Sequence, residues 1–162
     1  MSVNTGDKAP DFKLISFTPS ADPVEISLSS FAGKKNVVLI FFPQAFTGVC
    51  TEENCTISDS LGDFEGNGKT EVLGISVDGT FVQKAFAKSN NIKYPLLSDF
   101  NREVINLYDN VHETFAHGMK NVAKRAVFVI DKDGIVQYKE VTENPGVQVN
   151  FDKLKEAVKK LG

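Results

Sequence analysis

The chain has no tryptophan and only two cysteines among its 162 residues. Two thiols do not make the disulfide framework of a small secreted domain. A net charge of −3 gives no basic field to draw nucleic acid or an anionic membrane surface. The longest apolar run, VVLIFF at residues 37–42, is far short of the roughly 20 residues that a membrane span needs. The opening MSVNTGDKAPDF lacks the basic start and apolar stretch of a secretory signal. There is no internal repeat and no low-complexity tract. Together these absences predict a cytoplasmic protein with neither a nucleic-acid nor a membrane partner. In that reducing compartment, neighbouring thiols are more often reactive or metal-binding than structural.

What is present describes a packed core. Hydrophobic residues make up 41% and charged residues 24%, the balance of a water-soluble globular chain. Phenylalanine, with 13 copies, carries the aromatic content and points to an interior more than to a polar recognition surface. The length suits one domain over residues 1–162.

Along the chain, short extended pieces fall near residues 12–17 and 24–28, within an opening rich in turn formers. NVVLIFFP reads as a buried strand, a continuous apolar run closed by Pro43. From Gly48 to about Phe64 the pattern is helical, with Glu52 and Glu53 in the first turn and Gly66 and Gly68 at its end. EVLGISVDG is a second buried strand. FVQKAFAKSN reads as an amphipathic helix with Phe81, Val82, Ala85 and Phe86 inward. A short strand over residues 94–97 and a short helix over 101–108 follow. AKRAVFVID and IVQYKEV form a β-hairpin about the DKDG turn. NFDKLKEAVKKL is a terminal helix with Asn150 as N-cap and Phe151, Leu154, Val158 and Leu161 on one face. Strands alternating with helices, then a hairpin and a last helix, predict an α/β fold. Its expected form is thioredoxin-like, a central mixed sheet with helices on both faces.

Both cysteines lie in FFPQAFTGVCTEENC, at a strand-to-helix junction of the kind where such sheets place their chemistry. A thiol does redox work as its thiolate, which must be favoured over a free thiol with a pKa of about 8.5. Cys50 sits where the predicted helix begins and unpaired backbone N–H groups converge. Thr47, three residues earlier, can bring a hydroxyl to the sulfur or to a bound oxygen. Pro43 has no N–H and can wall the pocket from water. The missing cation is supplied best by Arg125, at the start of an apolar strand where a guanidinium needs an anionic partner. The alternative for Arg125 is a solvated edge-strand charge, and Arg102 reads as solvated. Phe42 and Phe46 are candidates to line the pocket. Glu53 either hydrogen-bonds pocket groups or is a solvated carboxylate near the helix start.

Residues five apart on an α-helix are separated by about 7.5 Å of rise and roughly 140° of rotation. That puts the two Cα atoms about 8 to 9 Å apart, beyond the roughly 7 Å that a disulfide tolerates. Cys50 and Cys55 cannot join without unwinding of the first turns.

PQAFTGVC resembles the P-x-x-x-T/S-x-x-C active-site motif of the peroxiredoxins. GDKAPDFKL and YPLLSD are similar to that family's segments too, and the likeness spans essentially the whole chain. The C-x4-C spacing is similar to that of the bacterioferritin comigratory protein, or PrxQ, type. The resemblance implies thiol-dependent reduction of hydrogen peroxide and organic hydroperoxides, with no cofactor and no metal. It implies Cys50 as the peroxidatic thiol and Cys55 as its resolving partner. Pro43, Thr47 and Arg125 become the pocket, and thioredoxin or a similar dithiol the reductant of a monomer or homodimer. FFPQAFTGVC also resembles members without a resolving cysteine, which leaves a one-cysteine peroxidase with Cys55 structural as an alternative. A redox sensor or chaperone switch on the same thiols is another. A zinc site from Cys50, Cys55, His112 and His117 is disfavoured, because the two histidines are five residues apart and do not share a helix face. The segment HETFAHGMKNVAKR, before the strand, departs from the family's pattern and is expected to reshape either the pocket mouth or an oligomer contact.

Overall fold

The computed structural model describes residues 2–17, 22–65 and 68–162. Its centre is the apolar run of the sequence, strand β3 (Asn36–Phe41), buried at every residue. β3 lies between β4 (Thr70–Ser76), which pairs with it in parallel, and β8 (Arg125–Ile130), which pairs antiparallel. A strand flanked on both edges and covered on both faces has no solvent side, so its sequence does not alternate.

Outward from this centre come β5 (Leu96–Ser98), β1 (Lys13–Phe17) and β2 (Val24–Ser27) on one side, and β9 (Val136–Thr142) on the other. The seven-stranded order is β2-β1-β5-β4-β3-β8-β9, parallel at β3·β4 and β4·β5 and antiparallel elsewhere. Successive side chains of a strand point to opposite faces, which divides the core in two. Val37, Leu39 and Phe41 pack with Phe128, Tyr108 and Ile105 on one face. Val38, Ile40 and Phe42 pack with Ile57, Phe86, Leu154 and Val158 on the other. The first face is covered by α4 (Glu103–Leu107), and the second by α1 (Gly48–Asp59), α3 (Thr80–Asn90) and α5 (Phe151–Lys160). This is the expected α/β mixed sheet with helices on both faces.

Several expectations change. The helix from Gly48 breaks at Ser60, whose backbone leaves helical geometry (φ −113°, ψ 29°), and resumes as α2 (Leu61–Glu65). Gly66, one of its expected terminators, lies outside the described residues; Gly68 adopts φ +82°. Glu52 and Glu53 stand in the second turn, because the helix starts at Gly48 and carries no acidic residue in its first turn. The inward face of α3 is Gln83, Phe86 and Ala87, while Phe81, Val82 and Ala85 are exposed. Gln83 is drawn inward because its Nε2 donates to Ser76 Oγ (3.0 Å) and to the Leu97 carbonyl (2.9 Å). The strand expected over residues 123–131 is two strands. β7 (Lys120–Ala123) pairs with β6 (Val111–Thr114) in a separate hairpin, and β8 starts at Arg125. Asn150 caps α5 as expected, its side chain accepting from the Lys153 N–H at 3.0 Å.

Candidate active site

β3 delivers the chain to the site. Phe42 and Pro43 are buried beyond its carboxyl end, and the loop then turns sharply, Phe46 taking a left-handed backbone (φ 67°). Asp78 holds this loop from the adjoining end of β4. Its carboxylate accepts from the Ala45 N–H (2.8 Å) and from Ser76 Oγ (2.7 Å). Burial pushes the Asp78 carboxyl up while these bonds pull it down.

Thr47 is the N-cap of α1, its carbonyl accepting the first helical bond from Thr51 N–H at 2.9 Å. Its hydroxyl donates to the Gln44 carbonyl (3.0 Å) and is not bonded to the sulfur. Cys50 is the third residue of α1 and 1% exposed. Its N–H is therefore one of the first four that a helix leaves without an internal acceptor.

Arg125 reaches this point from the start of β8 and is itself 1% exposed. Nη2 donates to Cys50 Sγ at 3.3 Å and to the Pro145 carbonyl at 2.8 Å, and Nη1 donates to Glu53 Oε1 at 2.8 Å. The planar fork thus joins thiol, carboxylate and loop carbonyl in one buried cluster. Glu53 has no accessible surface. Burial pushes its carboxyl up to about 7, against the opposing pull of Arg125. Burial also works against the Arg125 cation, but the charges of Glu53 and Cys50 outweigh it and raise its pKa. The solvated edge-strand role for Arg125 does not hold, because β8 is an interior strand between β3 and β9. A solvated Glu53 does not hold either. Arg102 is at the surface, its Nε and Nη1 donating to the Asn121 and Phe100 carbonyls.

A shallow mouth opens over Arg125, lined by Thr47, Gly48, Val49, Phe115 and the turn at Pro145 and Gly146. Phe42 and Phe46 stand elsewhere. Both rings pack on Phe86, at 6.1 and 5.2 Å between centroids, which turns them toward α3. Phe42 is fully buried and Phe46 is 54% exposed. The β6–β7 hairpin brings Phe115 to the mouth, within the segment expected to reshape it, whereas the loop after β9 was not foreseen. Of the two readings of Glu53, the one in which it hydrogen-bonds a pocket group holds, since a residue three beyond Cys50 faces the same side of a helix and meets Arg125 there. Asp78, in VDG at the end of a buried strand, carried no local signal of its role.

Cys55 is half-buried, and burial followed by Asp59 raises its pKa. Its Sγ lies 3.9 Å from the carbonyl and side-chain oxygens of Asn90. Both thiols are free and lie on one continuous helix. Their five-residue separation therefore keeps the Cα atoms about 8 to 9 Å apart. His112 and His117 lie on the hairpin side, half-buried and exposed. Among the described residues, no three of His, Cys, Asp or Glu gather into a metal-binding group.

A buried cysteine at a helix start, hydrogen-bonded to a strand arginine beyond a thioredoxin-like sheet, defines the class of thiol-dependent peroxidases. The match is explicit: the chain belongs to the AhpC/TSA family, whose model covers residues 5–139. It is 37% identical over 148 residues to the chloroplastic 2-cysteine peroxiredoxin of Chattonella marina var. antiqua, covering 87% of this chain and 72% of that one. It is 36% identical over 148 residues to alkyl hydroperoxide reductase E of Mycobacterium tuberculosis (strain ATCC 25618 / H37Rv), covering 89% and 88%. The crystal structure of peroxidoxin BcpB from Mycobacterium tuberculosis superposes with a TM-score of 0.80 at 30% identity, over 99% of both chains. That likeness agrees with the PrxQ-type resemblance of the motif. Hydroperoxide substrate and thiol reductant follow from the family.

Proposed function

We propose that the whole chain acts as one domain that reduces hydroperoxides through Cys50. The carrying observation is the 3.3 Å contact of Arg125 Nη2 with Cys50 Sγ inside a buried cluster. The Cys50 thiolate attacks the nearer oxygen of ROOH in line with the O–O bond. An S–O bond forms, the O–O bond breaks, and the sulfur is oxidised by two electrons to sulfenic acid. The departing RO⁻ takes a proton from water and leaves as ROH. Arg125 and the Cys50 N–H stabilise the charge that develops on the two oxygens. The Thr47 hydroxyl, already donating to Gln44, turns its lone pairs to the O–H of the peroxide. Pro43 keeps an unpaired N–H out of the pocket.

Cys55 then condenses with the sulfenic acid, releasing water and forming a disulfide after the first turns of α1 unwind. Thioredoxin or a similar dithiol in the cytoplasm restores both thiols by exchange, the protein acting as a monomer or homodimer. No helix among the described residues is long and apolar enough to cross a membrane. A second reading, a one-cysteine cycle, draws on the packing of Cys55 against Asn90 and on its raised pKa. Mass-spectrometric thiol counts after one equivalent of hydrogen peroxide separate the two. Loss of both thiols in wild type, and a lone sulfenic acid in Cys55→Ser, supports the two-cysteine cycle. Normal turnover of Cys55→Ser with a dithiol donor overturns that cycle and leaves the peroxidase.

A further inference from the structure

Two consecutive carbonyls in the first turn of α1 each accept a hydrogen bond from a side-chain amide, in addition to the helix ladder. The Val49 carbonyl accepts from Gln148 Nε2 at 2.9 Å, although Gln148 lies 99 residues further along the chain. The Cys50 carbonyl accepts from Asn54 Nδ2 at 2.8 Å, within the buried core. Asn54 is held in turn by Tyr94, whose hydroxyl donates to its Oδ1 at 2.5 Å.

Gln148 is placed firmly. Before it, the turn at residues 144–147 is closed by Gly146 N–H to Asn144 Oδ1 (2.9 Å) and Val147 N–H to the Asn144 carbonyl (3.0 Å). After it, Val149 is 3% exposed, and the Asn150 N–H donates to the Glu140 carboxylate at 3.0 Å. The same loop presents the Pro145 carbonyl to Arg125. The loop between β9 and α5 therefore grips the opening turn of α1 from outside, while Tyr94 and Asn54 grip it from inside.

We propose that Gln148 is a positioning residue that holds the first turn of α1 closed, and that it sets how fast oxidised Cys50 can reach Cys55. This rests on the two-cysteine cycle above. For the sulfurs to meet, the first turn must unwind, and the Val49 carbonyl must give up the Gln148 amide as well as its ladder bond. While the turn stays closed, the sulfenic acid remains in the pocket facing a second peroxide. Attack there converts Cys–SOH and H2O2 into Cys–SO2H and water. The Gln148 bond thus biases the fate of Cys50 toward further oxidation and away from the disulfide.

The test uses the reduced full-length chain with Gln148→Met, which keeps length and removes the donor, and with Tyr94→Phe, which removes only a buried hydroxyl. Stopped-flow consumption of the first equivalent of hydrogen peroxide should match wild type in both. Quenched mass spectrometry should show disulfide formation faster by about threefold to tenfold, the scale of one lost hydrogen bond. Sulfinic acid at a fixed excess of peroxide should fall in parallel. Amide hydrogen exchange at residues 50–53 of the reduced protein should accelerate in both variants. Wild-type exchange there in Gln148→Met overturns the proposal, and so does an unchanged or slower disulfide step. If wild type forms no disulfide, the two-cysteine cycle has failed, and exchange alone decides whether Gln148 holds the turn.

Discussion

Arg125 carries the site at the scale of single residues, because one guanidinium meets three acceptors that lie far apart in the sequence. Lysine keeps the charge but has no fork, so it cannot bridge Cys50, Glu53 and Pro145 together. Arg125→Lys should slow peroxide consumption on the order of 100-fold, the scale of losing a donor to developing oxyanion charge; stopped-flow rates check this. Glu53 gives a pH signature. Its folded carboxyl is pushed from an ordinary 4.5 up to about 7. As pH rises through that interval, the unfolded chain releases this proton before the native one does. The native state therefore loses stability from about pH 4.5 to 7 and gains nothing back above. Glu53→Gln should shrink the stability loss between about pH 4.5 and 7, measured by urea unfolding. An equal loss in variant and wild type would contradict a shifted Glu53. The meeting of Cys50 and Arg125 was legible in the sequence because a guanidinium in an apolar strand needs an anionic partner, whereas the Thr47 hydroxyl, expected at the sulfur or a bound oxygen, donates to Gln44. Glu53 was legible only as two open readings, because whether a helical carboxylate is solvated or paired depends on a strand 72 residues away.

Elements were legible where one physical requirement dominated. The apolar run of β3 has to be buried on both faces, and Asn150 is a strong cap wherever a helix follows. The inner face of α3 was misread because hydrophobicity alone placed Phe81 inward. The helix instead turns to satisfy Gln83 inside, and Phe81 packs at the surface against Phe17, 6.0 Å away. Close approach between elements is equally invisible in a sequence. Gly74 on β4 shows it: a Cβ there would lie 2.6 Å from Leu96 Cδ2 and 3.3 Å from the Tyr94 ring. Gly74→Ala forces both to shift in a filled core and should destabilise the protein by about 1 to 3 kcal/mol, read as a lower midpoint of chemical unfolding. An unchanged midpoint would mean that Leu96 relaxes freely. The β6–β7 hairpin escaped notice because its strands are short and half of their residues are exposed, with little hydrophobic alternation to mark them.

Across the molecule, the chemistry gathers at one end of the sheet, where β3, β8 and the loop after β9 converge on the start of α1. The fold class followed from the order of strands and helices, but the mouth did not. Its walls come from Thr47, Phe115 and Pro145, three parts of the chain with no local tie between them. The central claim is that Cys50, held by Arg125 in this convergence, is the group that peroxide oxidises. Single-turnover consumption of hydrogen peroxide by the reduced protein tests it most directly, with wild type compared to Cys50→Ser. Consumption of one equivalent by wild type, and none above background by Cys50→Ser, is the predicted result. An undiminished rate in Cys50→Ser would contradict the account.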